Sequence, residues 1–210
     1  MYALVIDNQI EKMITAPKSL VIGDVRYPAK IFQLWTKDEK EAIGIYEVVT
    51  DLSNFKDEEY YVNTNEEYNF ADGQVTRSWG TATAKNITDT LWTQTDADNG
   101  FLPEDKEVGD VKTEGLKTQK KRIVKQQAEG LLAPTDWYVV KATEVEDYSV
   151  PSNITTFRSA VRAKSNEMET AIDNAADVDA LATLYAYVNT GTKKKPVIER
   201  PLGEFPVLEN

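Results

Sequence analysis

The sequence predicts an α+β protein: a small N-terminal β-rich domain, a linker, a C-terminal helical module of about three helices and an extended tail. Three observations carry this. Residues 1–94 hold short β-branched and aromatic runs separated by turn residues, the pattern of short strands. Residues 95–115 hold Asp96, Asp98, Asn99, Gly100, Pro103, Glu104, Asp105, Gly109 and Asp110 with few apolar anchors, a linker composition. Residues 116–188 carry apolar side chains at helical spacing.

In order along the chain, Tyr2–Ile6 and residues 9–13 read as two strands about a tight Asp7-Asn8 turn. Residues 30–34 suit one helical turn. Thr36 with Glu39 forms a capping-box pair, so residues 37–43 read as a short helix with Gly44 at its end. Residues 45–50 are extended. Residues 59–63 and Glu67–Ala71 alternate and are joined by Thr64-Asn65-Glu66. Asp72-Gly73 is a hairpin signal between residues 68–71 and 74–84.

The first long helix spans Leu116–Leu132, with a stripe of Leu116, Ile123, Val124, Ala128, Leu131 and Leu132. Pro134 ends it, and Thr135-Asp136 begins a turn. A second helix follows Pro151 with Ser152 as its cap, and Ile154, Phe157, Val161, Met168 and Ile172 share one face. Asp177 caps a third. Residues 189–210 carry Lys193, Lys194 and Lys195, then Pro196, Pro201 and Pro206. Prolines so spaced exclude a regular helix or central strand and predict an extended arm.

Composition narrows the chemistry. The 210 residues include neither Cys nor His. A Ser-His-Asp triad, a thiolate nucleophile and a Cys/His zinc site are therefore excluded, and the fold must rest on packing without disulfides. Neither a GxGxxG nor a Walker pattern occurs, so no cofactor is expected. The net charge is −11. Residues 1–100 carry 9 basic and 17 acidic side chains, a net of −8, and residues 101–210 carry 15 and 18, a net of −3. An acidic chain disfavours nucleic acid as a partner. The basic run over residues 112–125 is expected to offset the acidic N-terminal half or an acidic patch on a partner. The N-terminus reads as a strand and not a signal peptide. No apolar stretch approaches the roughly 18 residues that span a bilayer, so a soluble protein made in the cytoplasm is expected.

The run from Lys121 through Leu131-Leu132 to Thr135-Asp136-Trp137, followed by Pro151, Phe157-Arg158 and Val161-Arg162, resembles the core of the phage tail-assembly chaperone-like family. In that family a helix ends in a Leu-Leu, Thr-Asp-Trp signature, and a short irregular stretch and a second helix follow. The compound pattern is specific where either half alone is not, and it covers residues 115–188. More softly, Tyr2 to Val5, Tyr27-Pro28 and Trp35 to Tyr46 resemble leading segments of phage tail-fibre-associated proteins.

The resemblance implies a non-enzymatic component of a tailed-phage virion, associated with tail or tail fibre, docking on other tail proteins within an oligomeric assembly. It also implies synthesis in the host bacterial cytoplasm. A transient assembly chaperone is the alternative, although the β-rich domain and the proline-containing arm exceed what that module needs. Two roles stand side by side for Trp137. It packs into the angle between two helices and locks the break, or it meets a tail protein together with Arg158 and Arg162, which lie four apart on one helical face. With the arm prolines this gives the partner-binding set Trp137, Arg158, Arg162, Pro196, Pro201 and Pro206.

Three further constellations are present. Asp96, Asp98 and Glu107 approach a calcium loop, but Gly100 and Phe101 stand where the fifth and sixth positions need Asp/Asn and Gly, so a solvated linker is expected and no metal. Asp57, Glu58, Glu59, Glu66 and Glu67 are carboxylates of the kind glycosidases pair, but adjacent acids in a polar hairpin read as solvent face. Tyr60, Tyr61, Tyr68, Phe70 and Trp79 form either cross-strand pairs or a face for a host glycan.

Overall fold

The computed structural model describes residues 1–208. The chain is α+β, and it divides into two compact units, Met1–Ala84 and Lys85–Asn210.

The first unit is built on nine strands. β1 (Tyr2–Ile6) and β2 (Gln9–Ile14) form the expected hairpin, with both Asp7 and Asn8 at positive φ, as a type I′ turn requires. β3 (Leu20–Ile22) and β4 (Val25–Tyr27) pair separately. α1 (Ile31–Leu34) and α2 (Lys37–Glu41) follow. The Thr36–Glu39 capping box is present in both directions. Gly44 ends this segment at φ +79°, and a Cβ there would lie 2.4 Å from the Val5 carbonyl oxygen, so only glycine fits.

β5 (Ile45–Thr50), β6 (Tyr61–Val62), β7 (Glu67–Ala71), β8 (Gln74–Ser78) and β9 (Thr83–Ala84) complete the unit. The main sheet runs β2-β1-β5-β8-β7, and β5 pairs parallel to β8 through Val48 and Val75. Alternation sends successive side chains to opposite faces. Leu4, Ile14 and Ile45 pack with Ile31 and Phe32 on one face. Ala3, Val5 and Val75 pack with Ile10, Met13, Tyr46 and Phe70 on the other. Residues 59–63 and β7 do not form a hairpin. β6 pairs instead with β9, because the arm after Asp72-Gly73 breaks at Trp79-Gly80.

In the second unit, residues 95–115 are not a linker. β10 (Thr90–Leu91) pairs with β11 (Val111–Thr113), and α3 (Gln94–Asp98) lies between them with its own Thr93–Asp96 capping box. The preceding segment caps α4 (Leu116–Leu132): the Leu116 and Lys117 amides donate to the Asn86 and Ile87 carbonyls. Asp89 accepts from the Gly115 amide at 2.7 Å and from the Thr118 hydroxyl at 2.9 Å. These bonds satisfy amides that a helix start leaves without partners. Backbone approach is so close that a Cβ on Gly115 would sit 2.2 Å from the Thr88 carbonyl carbon.

A 3-10 turn (Ala133–Thr135) leads directly into α5 (Asp136–Glu144), where only a turn was expected. α6 (Ser152–Asn174) starts at the expected cap residue itself: Pro151 is the N-cap and makes no side-chain capping bond. α7 (Val178–Tyr185) is capped by Asp177 as expected. β12 (Val188–Asn189) and β13 (Ile198–Glu199) make a small hairpin. Residues 209–210 of the arm lie outside the described residues.

α4 packs along α6. Val124 and Ala128 of α4, and Phe157, Val161, Met168 and Ile172 of α6, are buried at helical spacing. Ile123, expected in the stripe, is 42% exposed, and Lys120 is buried in its stead with its ammonium 4.3 Å from the Tyr185 ring centre. No helix among the described residues is long and apolar enough to cross a membrane.

Candidate functional site

The signature residues converge on the corner between α4 and α5. Pro134 lacks an amide hydrogen and its ring would clash with the carbonyl four residues back, so α4 cannot continue through it. Leu131 and Leu132 pack on the cluster of Ala128, Phe157 and Val161, which joins the Leu-Leu half of the pattern to its Phe half. The other half is polar. Arg158 donates from Nη1 to the Leu132 carbonyl at 3.0 Å and to Thr135 Oγ1 at 2.6 Å, and it pairs with Asp136 Oδ1 at 2.7 Å. The Thr135 hydroxyl donates to the same Leu132 carbonyl at 2.7 Å. Arg158 and Thr135 are both buried. All three contacts fall on Nη1 and tie the guanidinium to the turn.

The packing role expected of Trp137 is therefore corrected. Arg158 fills the inside of the corner and locks the break, and Trp137 points outward, 52% exposed. Its ring lies 3.8 Å from that of Tyr138, centre to centre, and the Lys141 ammonium stands 5.9 Å from it. Val139 and Val140 are exposed as well, and α5 buries none of its nine residues. Arg158 is thus a positioning residue and does not offer itself to a partner.

Arg162, exposed one turn on, donates to the Arg158 carbonyl at 3.5 Å. It lines a hollow of about 420 Å³ beside Asp136 and Arg158, and among the described residues it has no carboxylate partner. Pro196 and Pro201 are exposed, while Pro206 lies half-buried against the helices.

No protein-family model, curated protein or solved structure matches this chain.

The remaining candidates are engaged elsewhere. The basic run pairs within its own unit: Lys121 with Asp173 at 2.7 Å, Arg122 with Glu114 at 2.9 Å and Lys125 with Glu169 at 3.4 Å. Asp96 accepts from Lys112 at 2.6 Å and from Thr93, and these bonds pull its carboxyl down to about 2. Among the described residues no group of acidic side chains is placed to hold a metal ion.

Glu66 accepts from the Tyr68 hydroxyl at 2.6 Å and from Arg77 Nε at 2.8 Å, which lowers its pKa. Tyr60 and Tyr61 are buried, and burial with the neighbouring Glu59 and Asp57 charges pushes the Tyr60 phenol up to about 12. Phe70 meets Tyr46 in a tilted contact and Trp79 meets Phe55 edge-on.

What sequence reading missed is α5 and, with it, Val140. The available signal was Pro134 just ahead of Asp136 with Lys141 one turn later, since Pro and Asp favour a helix start and Lys a helix end.

Proposed function

We propose that this chain is a non-enzymatic docking protein of a tailed-phage tail or tail fibre, and that α5 is the face it presents to a partner protein. The carrying observation is α5 itself: Trp137, Val139 and Val140 stand exposed on a helix that buries nothing, at a corner fixed from within by Arg158. Buried aromatic anchors at the centre of an interface supply most of its binding energy, and a rigid element presents them at low entropic cost. The assignment to a phage tail rests on the compound pattern of Leu131-Leu132, Thr135-Asp136-Trp137 and Phe157-Arg158. A resident component is favoured over a transient chaperone by the additional β-rich unit.

The test is co-expression of the full chain with the tail and tail-fibre proteins of its own genome. Trp137→Ala with Val140→Ser is expected to abolish co-purification while leaving the melting temperature unchanged. Undiminished co-purification overturns the role of α5. Mass spectrometry of purified particles then separates the two forms of the reading: a resident component is present in them, and a chaperone is absent.

A further inference from the structure

The C-terminal arm is seated on a groove of its own helices. Phe205 and Leu208 pack on the cluster of Ala128, Phe157 and Val161 together with Leu131, and arm and helices wall a hollow of about 650 Å³ between them. One step earlier, Leu202 is 3% exposed and its amide donates to the Leu184 carbonyl at 2.9 Å. Those three residues are the arm's apolar anchors.

The rest of the arm is tied mainly to itself. β12 pairs with β13, the Tyr187 hydroxyl donates to Glu204 at 2.7 Å, and Arg200 pairs with Glu204 at 2.8 Å. None of residues 186–201 is buried. The arm is thus a self-contained appendage, joined at Ala186 and held by a few side chains in an open groove.

We propose that this arm is exchangeable, and that residues 202–208 of one copy dock in the α4–α6 groove of a second copy of this chain. The occupant is argued from the chain itself. The groove already accepts this Leu-Gly-Glu-Phe-Pro-Val-Leu sequence, so a second copy carries the matching ligand. Exchange regenerates every contact of the closed form and changes only the hinge, which is the general route to swapped dimers. The exposed segment around β12 and β13 opens at little cost, because two-residue strands on the surface bury almost nothing. Extended to about 3.3 Å per residue, residues 186–201 reach about 50 Å, beyond the ~14 Å radius of gyration expected for a unit of this size. The proposal is independent of the docking role of α5.

The absence of cysteine makes the test clean. Two full-length single-cysteine chains are made, Gly130→Cys and Val207→Cys. Both positions line the groove, an added Cβ on Gly130 meets nothing within 4 Å, and Val207 is 84% exposed, so both variants fold. The chains are mixed at high concentration and mildly oxidised. Exchange gives a disulfide heterodimer in about tenfold excess over either homodimer, because docking raises the local thiol concentration. Adding Phe205→Ala and Leu208→Ala to the Val207→Cys chain removes that excess. A statistical mixture of dimers, or an excess that survives loss of the anchors, overturns the proposal. So does a groove cysteine that links to a co-expressed tail protein while no heterodimer forms.

Discussion

Arg158 donates to Thr135 Oγ1 at 2.6 Å across a separation of 23 residues, and the same Nη1 reaches the Leu132 carbonyl at 3.0 Å. This contact joins the two halves of the Thr-Asp-Trp and Phe-Arg pattern in space. Arg158 is the side chain buried at this turn, while Trp137 stands 52% exposed.

Arg158→Leu is therefore expected to destabilise the C-terminal unit by about 2 kcal/mol, because it removes the charged donor from Thr135 Oγ1 and the Leu132 carbonyl and leaves only the bond between those two. The Asp136 pair adds little to this, as that carboxylate is 58% exposed. Thr135→Val costs about 1 kcal/mol. The two changes are coupled, so the double variant loses less than the sum by about 1 kcal/mol. Urea unfolding of the four proteins measures the cycle, and simple additivity would refute the contact.

Trp137→Ala and Val140→Ser run the other way. Neither side chain is buried, so each shifts stability by no more than about 0.5 kcal/mol. A melting curve that moves by the several degrees expected for a loss of about 2 kcal/mol would place Trp137 in a core after all.

α4 was legible because its apolar residues keep helical spacing and Pro134 marks its end, and it spans Leu116–Leu132 as read from sequence. The Thr36–Glu39 box and the Asp7-Asn8 and Asp72-Gly73 turns were legible because local hydrogen bonding specifies them. Three features were not. The parallel pairing of Val48 with Val75 is set by packing between distant strands, which no local preference encodes. Asp89 serves Gly115 and Thr118 from nearly thirty residues away, and it turns an apparent linker into part of the fold. The outward face of Trp137 depends on Arg158, so the pattern named the right residues while the division of labour between them needed coordinates.

Two glycines in the same unit separate steric need from habit. Gly115→Ala places a Cβ 2.2 Å from the Thr88 carbonyl carbon, and backbone cannot yield cheaply. A loss of about 2 kcal/mol or more is expected. Gly130→Ala, inside α4 with nothing within 4 Å, is expected to stabilise by about 0.5–1 kcal/mol by favouring the helix. Paired denaturation curves measure both. A neutral Gly115→Ala would show that residues 85–89 do not lie against the start of α4.

Asp96 gives the chain a defined acid response. Lys112 first, and then the Thr93 hydroxyl and amide, hold its carboxyl down at about 2. In the unfolded chain an aspartate titrates near 4. A depressed folded-state value means the unfolded chain binds the proton first as pH falls, so the stabilisation is complete above about pH 4 and is lost as pH drops through about 2. Asp96→Asn removes it at neutral pH, and the gap between variant and native chain should close progressively over that window. Added salt weakens only the Lys112 part of the effect, because the Thr93 bonds belong to the cap of α3 and are not ionic. Carboxyl chemical shifts followed against pH give the Asp96 midpoint directly. A midpoint at the ordinary value would mean that Lys112 does not close the β10–β11 segment onto α3, and it would return residues 95–115 to the linker that their composition suggests.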